Sequence, residues 1–502
     1  MKKLLYLITA ICTVSLAGSC AKEQLDTYPA GQLGAGEVFS DSNKAQSAID
    51  GIYRLMYTIG WSDSWYPENP GLTVFNMINS LRGEDHFMAS QGQGWFYFDY
   101  AFNTSSDWTT TSGRQYATWN FFYTMISLAN YVTDYEDMLK EDSTGRSVLG
   151  QAFAIRAYSY YCLYELFCQG NYSENKGMPG VPIYTEGPNK DTKGVGRGTI
   201  EGLFGQINAD FKKSTDYFKE SSDSQSHESH IDLYVAYGLW ARALLAQQDY
   251  PQAGFCAEEA LKKPGLTRVA TIAELGGFNS VKVSDVMWGF EVVADQTGPY
   301  GPFVSHMDRE GGYGSRAPQC FDYWIYEQGM SDTDLRRGWA DFYDDGDWYF
   351  YWQKKFEYTN IATSVADIIN MRAEEMLITL AECKCRAGEY TEARNLLAEL
   401  YAKRYSAARD ITALANSAAY NSNTYATPST LMDEILLQRR IELWCEGTGR
   451  VPDLRRLNLG YTRSEDQPAA YTLEPNDPEF ILYIPQKEFD SNPALDISRD
   501  QN

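Results

Sequence analysis

Histidine is scarce, basic charge is short, and the common catalytic signatures are missing. The 502 residues hold four histidines, His86, His227, His230 and His306, scattered along the chain. His227 and His230 fall in SDSQSHESH, which reads as a solvated loop. No two cysteine pairs stand at zinc spacing, so a metal centre has no sequence support. There is no GxSxG, no Walker loop, no HExxH, and no GxGxxG opening a helix after a strand, which removes the usual hydrolase, nucleotide and metalloprotease readings. Lys and Arg number 43 against 67 Asp and Glu, a formal charge of -24. That balance excludes nucleic acid and polybasic docking to anionic lipid, and is mainly a statement about solubility. Long apolar runs are also missing after the first residues, so no later stretch approaches the roughly 20 residues of a membrane span.

The one apolar run, Leu4 to Val14, follows Lys2 and Lys3 and leads through Ala17, Gly18 and Ser19 to Cys20. This is a bacterial secretory signal, too short for a permanent span. The site before Cys20 resembles a lipobox, although Ala17 stands where leucine is usual and Leu16 lies one place further back. The expectation is a signal peptide over 1–19, a lipidated linker over 20–40 anchored through Cys20, and a water-soluble body from 41 on; plain secretion with a chance cysteine is the competing reading. Cys162, Cys168, Cys256, Cys320, Cys383, Cys385 and Cys445 are an odd set in a compartment that favours disulfides. Most sit in helical patterns, and they read as small buried hydrophobes.

Apolar residues recur at helical spacing through NKAQSAIDGIYRLMY, ATWNFFYTMISLANYVTDY, LGQAFAIRAYSYYCLYELF, IEGLFGQINADFKKSTDYF, DLYVAYGLWARALLAQQ, MRAEEMLITLAECKCRAG and LMDEILLQRRIELWCEG. The fold class is therefore mostly α. AYGLWARALLAQQDYPQAGFCAEEAL and EEMLITLAECKCRAGEYTEARNLLAEL superimpose, with small Ala241 and Ala381 in the first helix, Tyr250 and Tyr390 at the turn, and small Ala253 and Ala393 in the second. That spacing resembles the tetratricopeptide repeat, in which small residues let paired helices approach, and it predicts further helices stacked beside each pair. Generic helical hairpins would give a similar pattern. The helical scaffold is placed at about 41–270 and 366–460, an irregular region with short strands at about 271–365, and a tail at 461–502.

Two segments break the helical scheme. Trp61 to Trp119 and Trp288 to Trp352 hold ten of the twelve tryptophans, interleaved with Gly, Asp, Tyr and Ser. The second opens on the strand-like VMWGFEVV. Tyrosine and tryptophan faces stack on the C–H faces of sugar rings, while Arg, Asn and Asp serve the hydroxyls; a few fixed polar groups orient the ligand. Arg82, Asp85, Trp95, Tyr97, Tyr100, Tyr300 and Tyr313 are the candidate ligand residues. The competing reading is that these aromatics plug the helical body against its loops. DFYDDGDW offers Asp341, Asp344, Asp345 and Asp347 to calcium, but lacks the alternating ligand spacing of a calcium loop, so a solvated acidic turn is favoured and no cofactor is expected.

The order of several motifs resembles the SusD/RagB family of bacterial outer-membrane nutrient-binding lipoproteins. Leu25 and Asp26 follow the lipidated cysteine, then VFSDSNKAQSAIDGIY and WNFFYTMISLANYV. QAFAIRAYSYYCLYELF is similar to the family's EA-x-x-x-RA-x-x-Y segment, with Gln151 where Glu is usual. SDTDLRR carries Asp334 and Arg336, and NMRAEEMLITLAECKCRAGEYTEARNLL matches the helix pair beginning R-x-AE-x-x-L. In ILLQRRIELWCEGTGRVPDLRRLN the family's run of Glu and Arg about a glycine is met by Arg439, Glu442, Leu443, Glu446, Gly447, Arg450, Asp453, Leu454 and Arg456, with Gln438 for the usual Glu. YIPQKEFDSNPAL resembles its closing motif.

The resemblance implies a single domain over 41–502 with tetratricopeptide-like pairs and ligand loops, placed on the cell surface by its lipid anchor. It also implies a partner, a SusC-like TonB-dependent outer-membrane barrel, to which a captured glycan, or in some members a peptide, is passed without chemistry. A lipoprotein glycoside hydrolase and a helical envelope scaffold are the readings from other classes. The acids and arginines of IELWCEGTGRVPDLRR invite a catalytic reading too, since paired carboxylates held by arginines tune proton transfer. As a terminal helix, a glycine-bearing break and a short second segment, they are expected instead to pair with one another and with neighbours.

Overall fold

The computed structural model describes residues 38–39, 41–59, 69–102, 109–222, 227–298, 300–346 and 349–501. The leader, Cys20 and its linker, Trp61, Trp65, Trp108, Asp347 and Trp348 lie outside these. The main helices are α1 (Ser42–Tyr57), α2 (Thr73–Leu81), α3 (Gly113–Thr133), α4 (Ser143–Phe167), α5 (Ile200–Glu220), α6 (Leu233–Gln247), α7 (Tyr250–Ala260), α8 (Ala373–Arg386), α9 (Tyr390–Arg404), α10 (Leu431–Glu442) and α11 (Val451–Arg456). The chain is mostly α, as the periodicity predicts.

Helix α4 is the axis of the array. From Ser147 to Phe167 every side of it is buried, as expected of a sequence apolar all round. Helices α1, α3 and α5 pack on it, α6 packs on α5, and α7 packs on both α6 and α8. The two repeat-like pairs, α6–α7 and α8–α9, therefore stack through α7 and α8, although more than a hundred residues separate them. Small residues make the approach: Ala241, Ala253 and Ala393 are fully buried, and a Cβ on Gly254 would sit 3.0 Å from that of Cys383. Local signals set the ends. Asp142 accepts from the Gly145 amide at 2.7 Å to start α4, and Thr430 with Asp433 forms a capping box on α10.

The residues between the two pairs form sheet and loop. A four-stranded antiparallel sheet runs β1 (His86–Met88), β3 (Gln319–Phe321), β5 (Tyr349–Gln353), β4 (Ala340–Asp344). Strand β2 (Val286–Phe290), in the stretch that reads as strand-like, pairs with β6 (Ile368–Arg372), and β7 (Tyr461–Thr462) pairs with β8 (Thr472–Leu473). Because β1 comes from before α3, the sheet draws both aromatic segments into one region.

Beneath the sheet lies a lattice of buried charge built on IELWCEGTGRVPDLRR. Glu442 accepts from Arg404 through Nε and Nη2, both at 2.8 Å, from Arg372 at 3.0 Å and from Arg336 at 3.2 Å. Glu446 takes Arg372 at 2.7 and 2.9 Å and Lys355 at 2.5 Å. Arg456 grips Glu382 at 2.6 and 2.8 Å, and Asp453 bridges Arg439 and Arg456. Arg450 holds Glu84 at 2.8 Å. Gln438, standing where the resemblance leads one to expect Glu, accepts from Arg336 at 2.6 Å and donates to Glu434 at 3.0 Å. Gly449 has φ 72°, and a Cβ there would lie 2.9 Å from Asn79, which explains the glycine at the break. All of these charges are buried and paired, so the stretch is scaffolding. The seven cysteines beyond the linker are buried and free.

Candidate functional site

The site begins with two loops that meet at one end of the sheet. The β1–β3 ladder continues past the strands, the Ala89 amide donating to the Pro318 carbonyl at 3.0 Å and Ser90 Oγ to the Arg316 carbonyl at 2.9 Å. This lays QGQGW beside GGYGSR. The second loop wraps the turn Phe303–Met307 tightly: the Tyr313 and Gly314 amides both donate to the Ser305 carbonyl, at 2.7 and 2.8 Å. Gly312 has φ 60°, and a Cβ there would lie 2.4 Å from Ser305 Oγ. Larger residues could not hold Tyr313 in this place.

Three candidate residues converge as a result. The rings of Trp95 and Tyr313 meet edge to face at 4.2 Å between centroids, and Tyr300 lies against Tyr313 at 5.1 Å. His306, buried behind them, stacks on Tyr313 at 5.2 Å and meets Phe96 edge-on at 4.9 Å. Tyr300 is 48% exposed, while Trp95 and Tyr313 are half-buried. Such offset and T-shaped contacts lock each ring against its neighbours. Beside them lies a small depression, with room for little more than a water, lined by Met88, Gln93, Trp95, His306, Tyr313 and Arg316. Gln93 and Arg316 are exposed, and among the described residues their side chains make no hydrogen bond or ion pair. The arrangement offers aromatic faces with a guanidinium and an amide at the rim, which suits a polyhydroxylated ring more than any group transfer.

The other candidates are placed elsewhere. Arg82 is fully buried, its guanidinium donating to the backbone carbonyls of Glu479 and Ile481. Asp85 is buried and gripped by Arg440 at 2.9 and 2.5 Å. Burial alone would raise its pKa, but Arg440 and then Arg450 offset that and hold it below the usual carboxylate value. Tyr100 is fully buried under Arg463, whose guanidinium lies 4.2 Å from the ring centroid. These three are corrections: a buried charge or phenol needs partners inside the protein, and here the partners come from the C-terminal segment. Tyr97 stays half-buried, its ring turned to Phe98 and Tyr100 at 6.3 and 5.9 Å. His86, between Ser80 and Gln319 at 2.9 and 2.8 Å, is pushed down by burial to about 3 and is neutral.

Of the acidic turn, Asp341 is committed to Arg309 at 2.5 Å and Lys354 at 2.9 Å, and Asp344 accepts from the Gly346 amide at 2.8 Å. Among the described residues no group of three or more His, Cys, Asp or Glu is placed to hold a metal ion. Among them, too, no helix is long and apolar enough to cross a membrane.

Sequence reasoning missed His306, Gln93 and Arg316. Gln93 and Arg316 stand two and three residues from Trp95 and Tyr313, and that proximity was the available signal.

Known proteins support the architecture. The family model described as "Starch-binding associating with outer membrane" matches residues 46–245, and the one described as "SusD family" matches 326–499. Among curated protein sequences nothing matches. The solved structure of a SusD-like carbohydrate binding protein from Bacteroides vulgatus ATCC 8482 is 20% identical, with a TM-score of 0.75 over 91% of this chain and 97% of that one. A SusD superfamily protein from Bacteroides thetaiotaomicron VPI-5482 is 19% identical, with a TM-score of 0.72 over 92% and 99%. Surface glycan-binding protein A from Bacteroides thetaiotaomicron, solved in complex with laminarihexaose, is 16% identical, with a TM-score of 0.65 over 92% and 99%. At these identities the likeness is one of fold. The two family models, which follow one another along most of the chain, identify it as a member of the SusD/RagB family.

Proposed function

We propose that the protein is a cell-surface binder of glycans, which captures an oligo- or polysaccharide on Trp95, Tyr300 and Tyr313 and delivers it to a SusC-like TonB-dependent transporter. The observation that carries this reading is the convergence, from segments some two hundred residues apart, of the three rings into one partly exposed cluster, with Gln93 and Arg316 beside Trp95 and Tyr313. A protein of the same fold is known with laminarihexaose bound, which supports the ligand class. On this reading the protein binds without chemistry, which fits the finding that the acids and arginines dense enough to suggest catalysis are buried and paired. Cys20 anchors the protein to the outer membrane through lipid, and the transporter barrel is its membrane partner.

Calorimetric titration against a panel of polysaccharides tests the first part. The expected result is binding that Trp95→Ala and Tyr300→Ala each weaken; a ligand bound equally well by both variants overturns the assignment of the site. Metabolic labelling with palmitate, lost in Cys20→Ala, tests the anchor, and co-purification of a barrel from solubilised outer membrane tests the partner.

A further inference from the structure

The hairpin β4–β5 carries a second set of exposed rings that the site above does not use. Tyr323, Phe342 and Tyr349 are 37%, 55% and 51% exposed. Phe342 is the register partner of Tyr351, and Asp344 of Tyr349, so Phe342, Tyr349 and Tyr351 share one face of the hairpin. Centroids step from Tyr323 to Tyr351 at 5.8 Å, from Tyr351 to Phe342 at 5.4 Å and from Phe342 to Tyr349 at 6.3 Å. The arc is held by its edges. Tyr349 donates to Asp466 at 3.0 Å, Tyr351 donates to the Glu327 carboxylate, and Tyr351 stacks at 3.8 Å on Tyr326, which donates to the Arg337 carbonyl at 2.7 Å. Tyr351 is itself buried and backs the arc, while Tyr323, Phe342 and Tyr349 keep exposed surface, which describes a preorganised platform.

Charge decides what the platform takes. From Ala340 to Gln353 there is no Lys or Arg; Asp344 and Asp466 rim the arc, and Glu327 beneath it is paired with Arg337 at 3.4 Å. Cores of protein interfaces are depleted in Asp and Glu, whereas carboxylates beside aromatic faces accept hydroxyl protons and repel acidic ligands. We infer that the hairpin arc of Tyr323, Phe342 and Tyr349, backed by the buried Tyr351, is a second platform for a neutral glycan, engaging a more distant stretch of the polymer held at Trp95, Tyr300 and Tyr313. The inference rests on the glycan reading of that first site. Nine residues, including all of β3, lie between Tyr313 and Tyr323, so these two residues, ten chain steps apart, are at most about 36 Å from each other. A polysaccharide can span that distance, and joining two weak platforms on one chain multiplies affinity.

The test uses the full soluble chain and neutral polymers: amylopectin, laminarin, inulin and galactomannan, with their hexasaccharides. Affinity electrophoresis and titration compare wild type, Phe342→Ala/Tyr349→Ala, Phe342→Trp/Tyr349→Trp and Trp95→Ala/Tyr300→Ala. The expected result is that the hairpin alanines weaken polymer binding about tenfold at unchanged melting temperature, that the tryptophans restore it, and that Trp95→Ala/Tyr300→Ala loses polymer and hexasaccharide alike. Polymer affinity of the hairpin alanine variant within twofold of wild type overturns the second platform and leaves the first standing. Failure of wild type to bind any neutral polymer overturns both. Retention of polylysine by wild type and not by the hairpin alanine variant, with polymer binding unaffected, reassigns the arc to a basic partner.

Discussion

The lattice under Trp444 and the depression beside Tyr313 are built from the same kinds of side chain, arginines, acids and large rings, arranged to opposite ends. In the lattice each guanidinium is buried against carboxylates, as Arg404 and Arg372 are on Glu442, and the Trp444 ring is closed off by Phe321 at 4.0 Å. In the depression Arg316 and Gln93 face solvent, and Tyr300 shows half its surface. The charges of the first region are paired inside the protein, whereas among the described residues the side chains of Arg316 and Gln93 in the second make no hydrogen bond or ion pair. Density of charge in a sequence therefore says little about chemistry; what matters is whether the fold satisfies the charge internally.

That contrast can be broken most severely from the lattice side. Glu442→Ala would leave Arg336, Arg372 and Arg404 buried without their shared carboxylate, and is expected to cost roughly 3–5 kcal/mol of unfolding free energy, measured by urea denaturation. Arg450→Ala should cost less, because Arg440 still faces Glu84 and Asp85 at 3.3 and 2.5 Å. It should lower the melting temperature while the folded variant binds glycan as wild type does; weakened binding at unchanged stability would place Arg450 in the site instead.

Acid tests the same lattice without mutation. Burial pushes Glu442 and Asp453 up, but Arg404, Arg372 and Arg336 on the one, and Arg439, Arg456 and Arg450 on the other, more than offset it and hold both below the ordinary carboxylate values of 4.5 and 3.8. With folded values depressed, the unfolded chain takes up protons first. The stabilisation is thus present above those ordinary values and is lost as pH falls below them. Stability measured from pH 6 to pH 3 should fall steeply, and less so in Asp453→Asn. At the smallest end, Tyr300→Ala should change unfolding free energy by no more than about 0.5 kcal/mol, as exposed positions do, while weakening glycan binding.

The helical scaffold was legible because small residues at matching places, Ala241 with Ala381 and Ala253 with Ala393, are what close packing of paired helices demands. The structural role of IELWCEGTGRVPDLRR was legible too, in motif and glycine placement, although its partners Glu84, Asp85 and Arg336 come from distant segments that spacing alone does not connect. The site was half legible. Composition drew attention to Trp95, Tyr300 and Tyr313, but nearness in sequence also drew in Arg82, Asp85 and Tyr100, which the chain turns inward before and after β1. Nothing in a linear pattern separates Trp95, on the open side of that turn, from Tyr100 five residues later. The hairpin lies inside the second aromatic segment, but DFYDDGDW reads first as acid, and the candidate residues of that segment end at Tyr313. Successive rings at Tyr349, Phe350, Tyr351 and Trp352 put aromatics on both faces of a strand, and that was the signal for more than a solvated turn.

The most direct measurement is the titration of wild type, Arg450→Ala and Trp95→Ala/Tyr300→Ala with the polysaccharide that wild type binds best. If function resides in the open rings and stability in the closed charges, Arg450→Ala keeps the wild-type dissociation constant and the ring variant loses binding with its melting temperature retained. Equal affinity for wild type and the ring variant would contradict the account.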